Sequence, residues 1–145
     1  MSNAAQSVRT LIQGMVDDRN HYNQLKTLLT DQRQFLIARN AQALETLNAS
    51  IFTVYEQLLE NSKQRYQLLA RLGIPAGAHG LRTLFTRLPA ANQSQLNTLW
   101  DSLEQAAAEC KTLNDSNGMV LAMQQEVLQN LFNVGEPENW LYRQV

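Results

Sequence analysis

The chain has 145 residues, a formal net charge of -1, 44% hydrophobic and 17% charged residues and only three prolines, which suits one soluble helical domain rather than a disordered chain. A near-neutral balance removes the cationic field that phosphate backbones require, so nucleic acid is excluded as a partner class. One cysteine, Cys110, rules out an internal disulfide and suits a reducing cytoplasm. No stretch approaches a membrane span, and Met1-Ser2-Asn3-Ala4-Ala5-Gln6 lacks the basic and apolar regions of a signal peptide.

From Val8 onward apolar residues recur every seven positions. Val8, Met15, Tyr22, Leu29 and Leu36 form one column and Leu11 and Leu25 a second, which predicts a helix over about 4–39. Asn40 is placed to cap a second helix over 41–72, because its side-chain oxygen can accept from that helix's unpaired amides. Leu44, Leu47, Ile51, Val54, Leu58, Leu68 and Leu72 set its beat, broken at Asn61 and Arg65. Gly73 and Pro75 end it.

The run 74–80, with two more glycines and a proline, reads as a loop. A short helix over 81–88 follows and stops at Pro89. From Ala90 two columns run unshifted to the end of a third long helix over 90–133. They are Leu96, Leu103, Cys110, Asn117, Gln124, Leu131 and Leu99, Ala106, Leu113, Val120, Val127, Val134. Asn117-Gly118 alone would suggest a turn. A turn would reset the register, however, and the register is kept, so the helix is expected to continue at a cost of about 1 kcal/mol for Gly118. The resulting expectation is an all-α fold, an antiparallel, left-twisted, coiled-coil-like bundle of three long helices and one short one over 1–134, with a flexible tail over 135–145.

The chemistry-bearing residues are sparse. Asp18 and His21 stand at i, i+3, as in bundle di-metal sites, but those sites use two such motifs plus further glutamates, and the chain has no second Asp/Glu-x-x-His. His79 falls between glycines in the loop. There is no phosphate loop, nucleophile elbow or paired-cysteine motif, so no catalytic residue, cofactor site or metal site is expected. Arg33, Arg39, Lys63, Arg65, Arg71, Arg82 and Arg87 read as a solvated surface.

The last long helix carries more apolar residues than one seam uses, with Met119, Leu121, Met123, Leu128 and Phe132 beside the columns. Before Gly118 a central position between the other two long helices would account for the excess. After Gly118 the methionines suit a surface that accepts varied partner side chains. Gly135, Glu136, Pro137, Glu138 and Asn139 then break the helix before Trp140-Leu141-Tyr142, which either pack back on the bundle or form a short linear motif.

These unusual residues are where the chain resembles the FlgN family of flagellar export chaperones. The family's Leu-Asn-x-x-Asn-Gly signature is matched by Leu113-Asn114-Asp115-Ser116-Asn117-Gly118, and its Leu-Tyr-Gly tail by Leu141-Tyr142, with Arg143 at the usual glycine. Arg65, Leu68-Leu69 and Leu72-Gly73 are similar to the end of its second helix, whereas its usual lysine near Ser50 or Ile51 is absent. The resemblance implies a cytoplasmic chaperone that covers the helix-forming C-terminal segments of hook-associated proteins and delivers them for type III export. It further implies that the cargo surface is Leu113, Asn114, Asn117, Gly118, Met119, Val120, Leu121, Met123, Val127, Leu128 and Leu131, and that Tyr142 docks on the export gate. The competing readings are a structural coiled-coil homo-oligomerisation or adaptor protein, and a bundle enzyme or metal carrier built on Asp18 and His21.

Overall fold

A computed structural model describes residues 2–134, with side chains over 4–131. Four helices follow one another: α1 Ser2–Ala38, α2 Ala41–Arg71, α3 Ala78–Thr86 and α4 Ala90–Val134. Among the described residues there is no strand, and the helices form a bundle. The tail over 135–145 lies outside the described residues.

The helix ends follow local chemistry. Asn40 caps α2, its side-chain oxygen accepting from the Ala43 amide at 3.1 Å. At the C-terminus of α2 the amides of Gly73 and Ile74 donate back to Ala70 and Leu69, with Gly73 left-handed at φ 71°. The same paired closure ends α1, where Arg39 and Asn40 donate to Leu36 and Phe35. There the left-handed position is held by Arg39 at φ 56°, a conformation that costs a side-chain-bearing residue about 1–2 kcal/mol.

The loop expected over 74–80 is shorter than its composition suggests. α3 starts at Ala78, so His79 and Gly80 belong to its first turn. Gly80 is not a loop glycine at all. A Cβ there would lie 1.7 Å from the Pro75 carbonyl oxygen, so the bare Cα is what lets the loop fold tightly under the helix. α4 passes through Asn117-Gly118 without a break.

The central helix is α1, and not the last long helix. α2 and α4 each pack on α1 rather than along one another. The two α1 columns meet different partners at their polar contacts. Tyr22, Leu29 and Leu36 lie opposite α4, while Asp18, in the column of Leu11 and Leu25, is bonded to α2. α2 runs antiparallel to α1, as the pairings Gln32 with Asn48 and Asp18 with Asn61 show. α4 runs parallel to α1 in exact heptad register: the Cys110 thiol donates to the Tyr22 carbonyl, the Asn117 amide to Leu29 and the Gln124 amide to Leu36.

Two apolar cores result. The lower one joins Leu11 and Met15 of α1, Leu68 and Leu69 of α2, Leu81, Leu84 and Phe85 of α3, and Leu96 and Leu103 of α4. The upper one joins Leu25, Leu29, Ile51, Val54 and Cys110. Near their boundary sits a polar layer. Asp18 is 3% exposed, and it accepts from Asn61 and Arg65 while the Arg65 guanidinium stacks 5.5 Å over the Trp100 ring. The two residues that broke the α2 beat are thus the partners of the one that interrupts the α1 column.

Candidate functional site: the far end of the last helix

Gln124 lies opposite Leu36, only two residues before α1 ends, so α4 runs on past the end of α1. Its last eight residues, 127–134, extend about 12 Å further at 1.5 Å per residue. The seam leading there changes character as it rises. Below Cys110 it is built from leucine and methionine; above, Asn117 and Gln124 hold α4 to α1 through backbone carbonyls.

The eleven α4 residues expected in the cargo surface divide into two sets. Leu113 is half-buried against the upper core. Asn117 is 3% exposed, with its amide nitrogen donating to Leu29 O at 2.8 Å and Gln32 Oε1 at 2.9 Å and its oxygen buried without a partner. Val120 is half-buried, and Asn114 and Gly118 are exposed. The large apolar side chains beyond Gly118 stand in solvent: Met119 is 66% exposed, Met123 63%, Leu128 58% and Leu131 65%, with Leu121 and Val127 exposed as well. Tyr142 lies outside the described residues.

Composition drew attention to α4 alone, yet a second apolar surface lies beside it. Because α2 and α4 do not close on each other, a groove runs between them, floored by Tyr22 and Leu25 and walled by Tyr55, Leu59, Ala107 and Cys110. Phe52, Leu59 and Tyr66, spaced by seven on α2, are all more than half exposed. That column runs beside the main α2 column, and its spacing was the signal available. Burial pushes the Tyr55 phenol and the Cys110 thiol above their ordinary values, so Cys110 stays protonated and unreactive.

Several arginines serve the fold instead of a solvated surface. Arg65 binds Asp18, Arg33 reaches Ser116 across the α1–α4 seam, and Arg82 ties α3 to Asn97, Asp101 and Glu104. His21 Nδ1 is 3.7 Å from the Asp18 carboxylate, which Asn61 and Arg65 already occupy. Among the described residues no cluster of His, Cys, Asp and Glu is arranged to hold a metal. No described helix is long and apolar enough to cross a membrane.

The family model described as FlgN protein matches residues 1–138. A crystal structure from Pseudomonas aeruginosa, of a candidate flagella synthesis protein FlgN, superposes with a TM-score of 0.70. It is 27% identical, over 84% of this chain and 95% of that one. Among curated proteins, none matches.

Proposed function

Because this chain belongs to the FlgN family and so serves the flagellum, we propose that it is an export chaperone whose cargo surface is the exposed apolar face at the far end of α4. The observation that carries this reading is the run of exposed apolar residues from Met119 to Leu131, continued past the point where α1 ends. An apolar helix face of this kind suits an amphipathic segment that folds as it docks. In this reading the segments are the helix-forming C-terminal ends of hook-associated proteins, held in the cytoplasm so that they neither polymerise nor aggregate before export. Tyr142 then engages the export gate.

The test is binding of such a C-terminal segment by calorimetry. Leu128 and Leu131 are each about 60% exposed, and covering what remains of such a leucine is worth about 1–2 kcal/mol, so losing one contact weakens binding roughly 5- to 30-fold. Val127→Glu or Leu131→Glu adds a charge to the face and abolishes measurable binding with helicity unchanged. Equal affinity for variant and parent would remove this face from the function. Tyr142→Ala keeps cargo affinity and weakens binding to the gate.

A further inference from the structure

α3 fills a seat between α2 and α4. Leu81, Leu84 and Phe85 are buried there in one cluster with Met15 of α1, Leu69 of α2 and Leu103 of α4. Further up the bundle the walls of that seat repeat. Tyr22 follows Met15 by a heptad on α1, and Ala107 and Cys110 follow Trp100 and Leu103 by a heptad on α4. On α2, which runs the other way, Tyr55 and Leu58 stand two heptads before Leu69 and Leu72. These five line the open groove. The groove is therefore the α3 seat continued, with no described helix of this chain in it.

The groove also opens upward onto exposed apolar surface. Its α4 wall, Ala107 and Asn114, runs on at the same heptad position into Leu121 and Leu128, which are 44% and 58% exposed. Across from it, Leu59 and Phe52 of α2 are 58% and 64% exposed, with Phe52 above Leu59 because α2 is antiparallel to α1. From Ala107 to Leu128 the stripe is about 32 Å long, which a helix of about three heptads covers. We propose that the cargo helix lies along this whole stripe, its lower part seated between α2 and α4 as α3 is and its upper part covering Leu121 and Leu128. This rests on the chaperone reading above and adds to it α2, which that reading leaves out.

α3 shows what kind of helix such a seat takes. Leu81, Leu84 and Phe85, at i, i+3 and i+4, put three apolar side chains on one side of a short helix, and all three are buried. Charge distinguishes the open part of the seat from the filled part. α3 presents Arg82 to Asp101 and Glu104. One heptad further along α4 those positions are Ala108 and Lys111, so the two carboxylates give way to a methyl group and a cation. Lys111 is the one charged residue lining the groove, and its bond is to the exposed Asp115 one turn on. The helix that fits here carries the same apolar triad as α3, with an acidic or amide side chain where α3 carries Arg82.

The test is calorimetric titration of the full chain with the C-terminal segment of a hook-associated protein, made as a peptide. Leu59→Glu and Phe52→Glu each weaken binding roughly tenfold or more at unchanged helicity. Ala107→Trp, which fills the groove without adding charge, does the same. Leu128→Glu reports on α4 alone. If Leu128→Glu weakens binding while the three groove variants bind as the parent does, the groove proposal is overturned and the chaperone reading stands. If the parent does not bind the segment, or no variant on either helix differs from it, the reading fails and the groove proposal with it. Groove substitutions that leave segment affinity unchanged but remove a self-association of the parent, seen by light scattering, give the groove to a second copy and also overturn the proposal.

Discussion

Arg65→Leu isolates the polar layer between α1, α2 and α4. In the parent, the Asp18 side chain is 5% exposed and the Arg65 side chain 14%, so neither charge is solvated well enough to stand alone. Removing the guanidinium leaves a buried carboxylate with the Asn61 amide at 2.8 Å and the His21 ring nitrogen at 3.7 Å, and also strips the cation from the Trp100 face. Breaking one side of such a pair costs about 3–5 kcal/mol, a large share of the 5–15 kcal/mol that holds a domain of this size. Asp18→Leu should cost less, because it continues the apolar column of Leu11 and Leu25 and leaves Arg65 a long stem with which to reach water. The double variant should then lose less than the sum of the two singles by about 2 kcal/mol or more. Urea unfolding followed by circular dichroism, with slopes held comparable, measures all four corners of the cycle. A loss below about 1 kcal/mol for Arg65→Leu, or strict additivity, would refute the view that this layer acts as one buried unit.

The remaining predictions concern single groups. Gly80→Ala drives a methyl group into the Pro75 carbonyl, 1.7 Å from the new atom, and should destabilise the protein by about 3 kcal/mol in the same urea assay. Arg39→Gly relieves a left-handed residue at φ 56° and should raise stability by about 1 kcal/mol, read as a higher melting temperature. Lys26 and Glu109 clasp α1 to α4 at 2.7 Å; the bond holds the Glu109 carboxyl below its ordinary 4.5 and the Lys26 ammonium above its ordinary 10.5. A depressed acid contributes above its unfolded value and loses that contribution as pH falls through its folded value. A raised base contributes below its unfolded value and loses it as pH rises through its folded one. The clasp is therefore whole from about pH 4.5 to 10.5, and Glu109→Gln should lower the melting temperature inside that window, with the difference fading in acid and in high salt.

The heptad columns made most of the architecture legible, because a seven-residue beat states which side of each helix is buried without reference to any other helix. Asn40 as a cap and the unbroken passage through Asn117-Gly118 were legible for the same reason, being local. What stayed hidden depends on two elements meeting. Asp18 looked like a polar gap in one column, and Asn61 and Arg65 like defects in another, until the antiparallel pairing of α1 and α2 brought them together. Gly80 read as a loop residue because its need for a bare Cα comes from the Pro75 carbonyl folded against it. Arg39 gave no sign of ending α1, since glycine or asparagine usually holds that conformation. For the candidate site, an apolar excess on α4 could be read from composition, but which residues were spent inside the bundle could not. Asn117 lies in the signature segment and turns out to be an interior residue.

That placement of Asn117 bears on how the far end of α4 is held. An apolar rung at this position would extend the upper core and bind α4 to α1 at every level. A buried asparagine satisfied on its nitrogen and orphaned on its oxygen instead gives up stability while fixing orientation and register, because its amide is matched only when it faces Leu29 O and Gln32. Gln124 repeats the device one heptad on, against Leu36. The upper seam therefore specifies where α4 lies without gripping it strongly, and it spares the apolar residues of that stretch, Met119, Leu121 and Met123, from being used as core. A helix anchored by leucine below Cys110 and only aligned by amides above it can present those side chains in a fixed direction. It can also let its end be taken by another helix at small cost to the rest of the fold.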